Sequence, residues 1–300
     1  MKRYEYWIAD YRHNRYMKHL SIEQLSDRLR YLMENLTTLE VDGKIGMGNV
    51  AINPWNELII KFTHVQEELN IRGELPKEQF LSGSAIPTPM LEASDRLKEI
   101  NKLAAIKKPH LIKFGKKEHL EKHSYKISLA SSFLDTSLNV AQMDDEMKAV
   151  FHVNPADITI KKANGNIIKP IGTVDVTYET KRDYYVFCSS GQFDIRMFSN
   201  FEADSCLFIY DSQRFTDELI SGLSSQIEIE DHAYKMVDYV DPIQPKSKEQ
   251  KPIIEFHKHI KYQYQREFRH VIIAKSSSEV PKNIFLNLET AKDYSDLICL

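Results

Sequence analysis

The chain is short of the features that staple, anchor or disorder a protein. Its 300 residues include only three cysteines, Cys188, Cys206 and Cys299, which cannot all pair and stand at no metal-ligand spacing. They are expected to be free thiols in a reducing, cytoplasmic compartment. Ten glycines and 11 prolines exclude collagen-like and low-complexity classes. No apolar run approaches the roughly 20 residues of a membrane helix. The longest, at 206–210 and 271–274, are strand-length. Residues 1–7 carry charge with no apolar core behind them, so neither a signal peptide nor a membrane partner is expected. Neither sign of charge dominates, since 40 Lys and Arg against 43 Asp and Glu leave −3. That excludes attachment to nucleic acid through bulk positive charge and leaves room for a local basic patch. With 42% hydrophobic and 28% charged residues, the composition is that of a globular protein about two domains long. A chain of this size buries about 75% of its unfolded surface and needs no staple.

Helical signals fill the first third. Ser21 and Gln24 form a capping-box pattern, followed by Ile22, Leu25, Leu29, Leu32 and Leu36 at helical spacing. Pro54 suits a first helical turn before the stripe Leu58, Phe62, Val65 and Leu69, and Gly73 and Pro76 end it. The Ser/Gly/Pro-rich stretch at 82–89 reads as a linker, and Leu91, Leu97, Ile100 and Leu103 mark a third helix. Gly43, Gly46 and Gly48 lack the Lys-Ser/Thr of a phosphate loop. After about residue 108 short strands take over, expected at 111–114, 126–130, 157–161, 173–178, 184–189, 206–211, 235–239, 262–274 and 284–286. Helical turns are expected at 118–122, 143–150 and 214–223. These signals predict an α+β protein, with a helical N-terminal region over 1–105 and an α+β domain over 106–300.

One segment stands out chemically. If 259–269 is a single strand, alternation places Tyr262, Tyr264, Arg266 and Phe268 on one face and Lys261, Gln263, Gln265, Glu267 and Arg269 on the other. The polar face is either solvated or looks into a cleft. In a cleft, Gln265 and Glu267 suit a site that stabilises an oxocarbenium ion, with the carboxylate opposing the developing charge and the amide positioning a nucleophile. A second cluster, Ser131, Ser132, Phe133, Leu134 and Asp135, can hold a ribose or amide and stack a flat ring, or simply cap a surface turn. Asp144, Asp145 and Glu146 follow, but consecutive carboxylates cannot share a helical face as a metal site. Arg196, inside an aromatic turn, wants an anion. His257 and His259 read as surface residues, with no zinc-type histidine spacing nearby.

Taken in order, four segments resemble a bacterial domain family of unknown function. They are Lys113-Phe114, Phe133-Leu134-Asp135, Cys188-Ser189 with the aromatic turn at 198–204, and the strand Tyr264-Gln265-Arg266-Glu267-Phe268-Arg269. The likeness covers roughly 109–275. Phe198 stands where that family usually has Trp, and Asn200-Phe201 where it has His-Tyr. The same order resembles the split sheet of ADP-ribosyltransferases, including bacterial DNA-modifying toxins. The resemblance implies an NAD-dependent ADP-ribosyltransferase, as a toxin or anti-phage effector. Glu267 and Gln265 would be catalytic, and Lys113, Ser131, Phe133, Asp135, Arg196 and Arg269 would hold NAD. Lys113 departs from the usual His or Arg and cannot reproduce a guanidinium fork. The implied acceptor is a nucleic acid or a protein, and the helical region would dock a regulatory partner. The alternatives are a non-catalytic partner-binding module and a metal-dependent nuclease built on Asp144, Asp145 or Glu146 with Glu267.

Overall fold

The capping box closes as the sequence predicts: Gln24 N–H donates to Ser21 Oγ at 3.2 Å, and Ser21 N–H donates to Gln24 Oε1 at 2.9 Å. The structure, a computed structural model, describes residues 2–39, 45–78, 93–135, 137, 143–244, 252–275 and 283–300, so the linker expected at 82–89 lies outside the described residues. Helix α1 (Arg3–Asn14), α2 (Ile22–Leu36) and α3 (Trp55–Arg72) bury Tyr11, Leu25, Leu32, Leu58 and Val65 against one another. Gly73 ends α3 at φ 67°, a left-handed cap that costs glycine nothing. The small hairpin β1 (Thr37–Leu39) and β2 (Ile45–Met47) follows α2.

Helix α4 (Ser94–Lys107) lays Leu97, Ile100 and Ala104 on a sheet, against Ile112, Phe114, Cys206 and Phe208. That sheet contains β3 (Leu111–Gly115), β4 (Ser124–Leu129), β9 (Tyr185–Ser190), β10 (Ser205–Ile209), β11 (Ile229–Met236), β14 (Glu267–Ala274), β15 (Asn283–Asn287) and β16 (Ser295–Cys299). The short helix α5 (Lys117–Leu120) joins β3 to β4, and α6 (Arg196–Asn200) joins β9 to β10. On the opposite face α7 (Ser212–Ser224) buries Phe215, Leu219 and Leu223 over Tyr125, Phe187 and Ile272. Asp211, expected to end a strand, instead caps this helix by accepting from Arg214 N–H at 2.9 Å.

The sheet is antiparallel and forked. Its main order is β11-β14-β9-β3-β10-β16, while β4 also pairs with β9 and carries β15. Ser190 of β9 is paired with Ile112 of β3, and Val186 and Tyr185 with Ser128 and Leu129 of β4. Among the described residues no strand pairs with 187–189 on that side, so the fork opens there. The expected α+β class is therefore what the fold is, with antiparallel pairing throughout the main sheet.

Several local expectations are corrected. Residues 143–150 are not helical: β5 (Lys148–Val153) pairs with β8 (Val174–Glu179), and Tyr178 packs edge-on to Phe151. The strand expected at 157–161 shrinks to β6 (Ile160–Lys161), paired with β7 (Ile167–Ile168) after a 3-10 turn at Pro155–Asp157. The 235–239 strand is divided between β11 and β12 (Asp238–Val240). The single strand expected over 259–269 is three pieces: β13 (His257–His259), a 3-10 helix (Ile260–Gln265) and β14. Arg266, at φ 47°, makes the left-handed corner between the last two. Among the described residues no helix is long and apolar enough to cross a membrane, and Cys188, Cys206 and Cys299 are free thiols.

Candidate functional site

Where β3 and β4 diverge from β9, they leave a cavity of about 390 Å³, within the size range of small-molecule sites. Lys113, Phe133, Gln265 and Glu267 all line it. These four come from β3, from the 3-10 turn that follows β4 (Ala130–Leu134), from the 3-10 helix before β14, and from the first residue of β14. Ser131, Asp135, Arg196 and Arg269 do not line it. Ser131 Oγ instead donates to Asp183 at 2.5 Å, and Asp135 takes the Ser137 N–H at 2.9 Å. Arg196 finds its anion within the chain, paired with Asp194 at 2.6 Å, and donates to the Glu34 carbonyl at 2.9 Å. Its guanidinium stacks over Tyr264 in a separate small crevice.

The polar face of β14 is sequestered rather than solvated. Glu267, on the cavity wall, is 5% exposed, and Arg269 behind it is fully buried. Arg269 Nε contacts Glu267 Oε1 at 2.7 Å and Arg269 Nη1 contacts Glu146 Oε2 at 2.6 Å. Lys258 Nζ lies 2.5 Å from Glu267 and 3.6 Å from Glu146. Two cations and two carboxylates thus form a closed, nearly neutral quartet. Burial pushes the Glu267 carboxyl up, and Arg269 and Lys258 more than reverse this, so it stays ionised far below the usual carboxylate range. Lys258 and Glu146 were not legible as a pair. Lys258 points inward from β13 between His257 and His259, and both imidazoles are half-buried rather than on the surface. Burial with Lys261 nearby lowers His259 to about 3.

Asp144 stands beside this quartet. Burial, and then Glu146, push its carboxyl up to about 6. A raised acid pKa contributes stability below the unfolded value near 4, and that contribution is lost as pH rises through about 6. Asp144→Asn is therefore expected to flatten the profile. Between pH values of about 4 and 7 wild type should lose about 1–3 kcal/mol relative to the variant, measured by urea unfolding. Parallel profiles would contradict this.

A side chain from the helical region fixes the segment carrying Gln265. Asn35, 3% exposed on α2, donates from Nδ2 to the Lys261 carbonyl at 2.9 Å and accepts the Tyr264 N–H at 2.8 Å. From the sheet side, Ser190 Oγ donates to the Gln265 carbonyl at 2.8 Å. Asn35→Ala strands two buried backbone groups and is expected to cost about 2 kcal/mol or more. A loss within about 0.5 kcal/mol, the range of surface substitutions, would show that the clamp is not made.

At the fork, Lys113 Nζ donates to the Cys188 carbonyl at 2.7 Å, taking an acceptor that no strand satisfies, and lies 4.7 Å from the Phe187 ring centre. Lys116 and Lys126 line the same cavity, and among the described residues none of these three lysines has a carboxylate at ion-pairing distance. The cavity's fixed charge is therefore positive. Among the described residues no group of three or more His, Cys, Asp or Glu is arranged to hold a metal ion. Asp145, from the acidic triplet, faces Lys148 at 3.8 Å. Comparison with known protein families, curated proteins and solved structures finds no match to this chain.

Proposed function

We propose that the cavity at the fork of the sheet binds NAD and that the protein is an NAD-dependent ADP-ribosyltransferase with a split-sheet core. The observation that supports this most is the meeting of Lys113, Phe133, Gln265 and Glu267, from four separate segments, around one cavity. Each offers what NAD requires. Phe133 presents a ring for the nicotinamide, and Lys113, with Lys116 and Lys126, presents positive charge to the diphosphate. Glu267, ionised and fixed by two partners, accepts from ribose hydroxyls and opposes the charge that grows on the sugar as nicotinamide leaves. Gln265 positions the acceptor, which this reading takes to be a nucleic acid or a protein, as for a toxin or anti-phage effector.

A second reading is a non-catalytic module that binds a small anion, and the quartet favours it. With Lys258 and Arg269 beside it, Glu267 carries little net field into the cavity, whereas the charges of Lys113, Lys116 and Lys126 remain. Calorimetric titration tests the shared premise. NAD is expected to bind once per chain, more weakly as salt screens the lysines. Absence of binding at millimolar NAD would sink the transferase reading and leave the anion module.

A further inference from the structure

Lys113 is a different kind of lysine from Lys258. Lys258 is committed to two carboxylates. Lys113 Nζ has a backbone carbonyl for its hydrogen-bond partner and an aromatic face beside it, and its stem rises from a strand paired along its length with β10 and at Ile112 with β9. The amine is thus fixed at one end, opens on a cavity large enough for a small molecule, and among the described residues has no carboxylate at ion-pairing distance. We propose that Lys113 is a carbonyl-capturing amine, and that the cavity takes an aldehyde or ketone bearing an anionic group and holds it as a Schiff base on Nζ. This does not rest on NAD binding.

The chemistry is balanced without an oxidant or reductant. The unprotonated amine attacks the carbonyl carbon, and the π electrons move to oxygen, which takes up the proton the nitrogen sheds. The resulting carbinolamine loses its hydroxyl with a proton as water, and the C=N bond forms. Such a step needs an amine that is neutral part of the time, which a desolvating pocket provides. Burial lowers the Lys113 pKa from the ordinary lysine value, with Cys188 and Glu267 offsetting part of the effect. Each unit of lowering raises the neutral fraction about tenfold at pH 7. Lys116 and Lys126, which line the same cavity, supply charge for the anionic group, and Phe133 and Phe201 supply apolar surface for a flat body.

The probe is pyridoxal 5′-phosphate, a flat anionic aldehyde, added to the full chain without NAD at neutral pH and fixed with borohydride before peptide mapping. Lys113 is expected to be labelled faster than any other lysine, reaching one equivalent before the surface lysines take up label, because its neutral fraction is larger. Imine absorbance should saturate at one equivalent. Lys113→Gln, which can still donate a hydrogen bond toward the Cys188 carbonyl, should lose that fast phase. Label spread over surface lysines, with Lys113 no faster than they are, would overturn the proposal, and the wild-type map decides this even if the variant fails to fold.

Discussion

Arg269→Met is expected to lower the unfolding free energy by about 3–5 kcal/mol, the range for removing one member of a buried ion cluster. Arg269 is fully buried, and with Lys258 it ties the two carboxylates together. Without it, Glu146 and Glu267 share Lys258 alone, and the Glu255 carbonyl loses a donor at 2.9 Å. The cost lies in leaving charge uncompensated away from water rather than in the pair's own attraction. Removing a carboxylate as well should therefore help: Arg269→Met with Glu146→Gln is expected to be more stable than Arg269→Met alone. Urea unfolding measures both. A single-variant loss under about 1 kcal/mol would mean that the cluster is solvated.

Asp241→Asn is expected to cost a similar amount, about 3–5 kcal/mol, at a second buried ionic site. Arg28, fully buried on α2, donates to both Asp241 oxygens at 2.8 and 2.7 Å and to Tyr31 Oη at 2.7 Å, and Lys61 on α3 reaches Asp241 at 2.7 Å. Asp241 follows β12, so this contact fastens the N-terminal helices to the β region. Burial raises the Asp241 carboxyl, and Arg28 and Lys61 override it, holding the group far below the usual range. A depressed acid pKa gives stability that is present above the unfolded value near 4 and lost as pH falls below it. Wild type should therefore lose about 1.4 kcal/mol per pH unit from this group as pH falls below 4, and Asp241→Asn should lack that component. Equal slopes would show that Asp241 is not paired.

Helix α2, with its capping box and regular leucines, is legible because one period accounts for the face it buries, and β9 and β10 are legible because, buried on both faces, they read as short apolar runs. Strand β11 is not: Glu230, Asp231 and His232 leave no apolar alternation on an edge strand exposed along most of its length. Strand β5 misleads in the other direction, since Met143, Met147 and Val150 fall at helical spacing while the chain pairs with β8. At the site, Gln265 and Glu267 reach one cavity, the cleft alternative of the two the sequence left open, but through a 3-10 turn and a left-handed Arg266 rather than along one strand. Alternation identified the polar face of β14 and left open whether it was solvated or enclosed. Lys258 and Glu146, which decide the charge around Glu267, are 112 positions apart and carry no local signal of meeting. Long-range ionic pairing is a property of the fold, and it is what spacing arguments miss.

Nicotinamide release from NAD by the purified chain tests the central claim most directly. Wild type, supplied with cell extract as a source of acceptor, is expected to release nicotinamide. Glu267→Gln, shown by thermal melting to be folded at the assay temperature, is expected to be slower by about 10²–10³. A wild-type protein that binds NAD and releases no nicotinamide, or a folded Glu267→Gln protein with unchanged turnover, would contradict the transferase reading and leave the anion-binding module in its place.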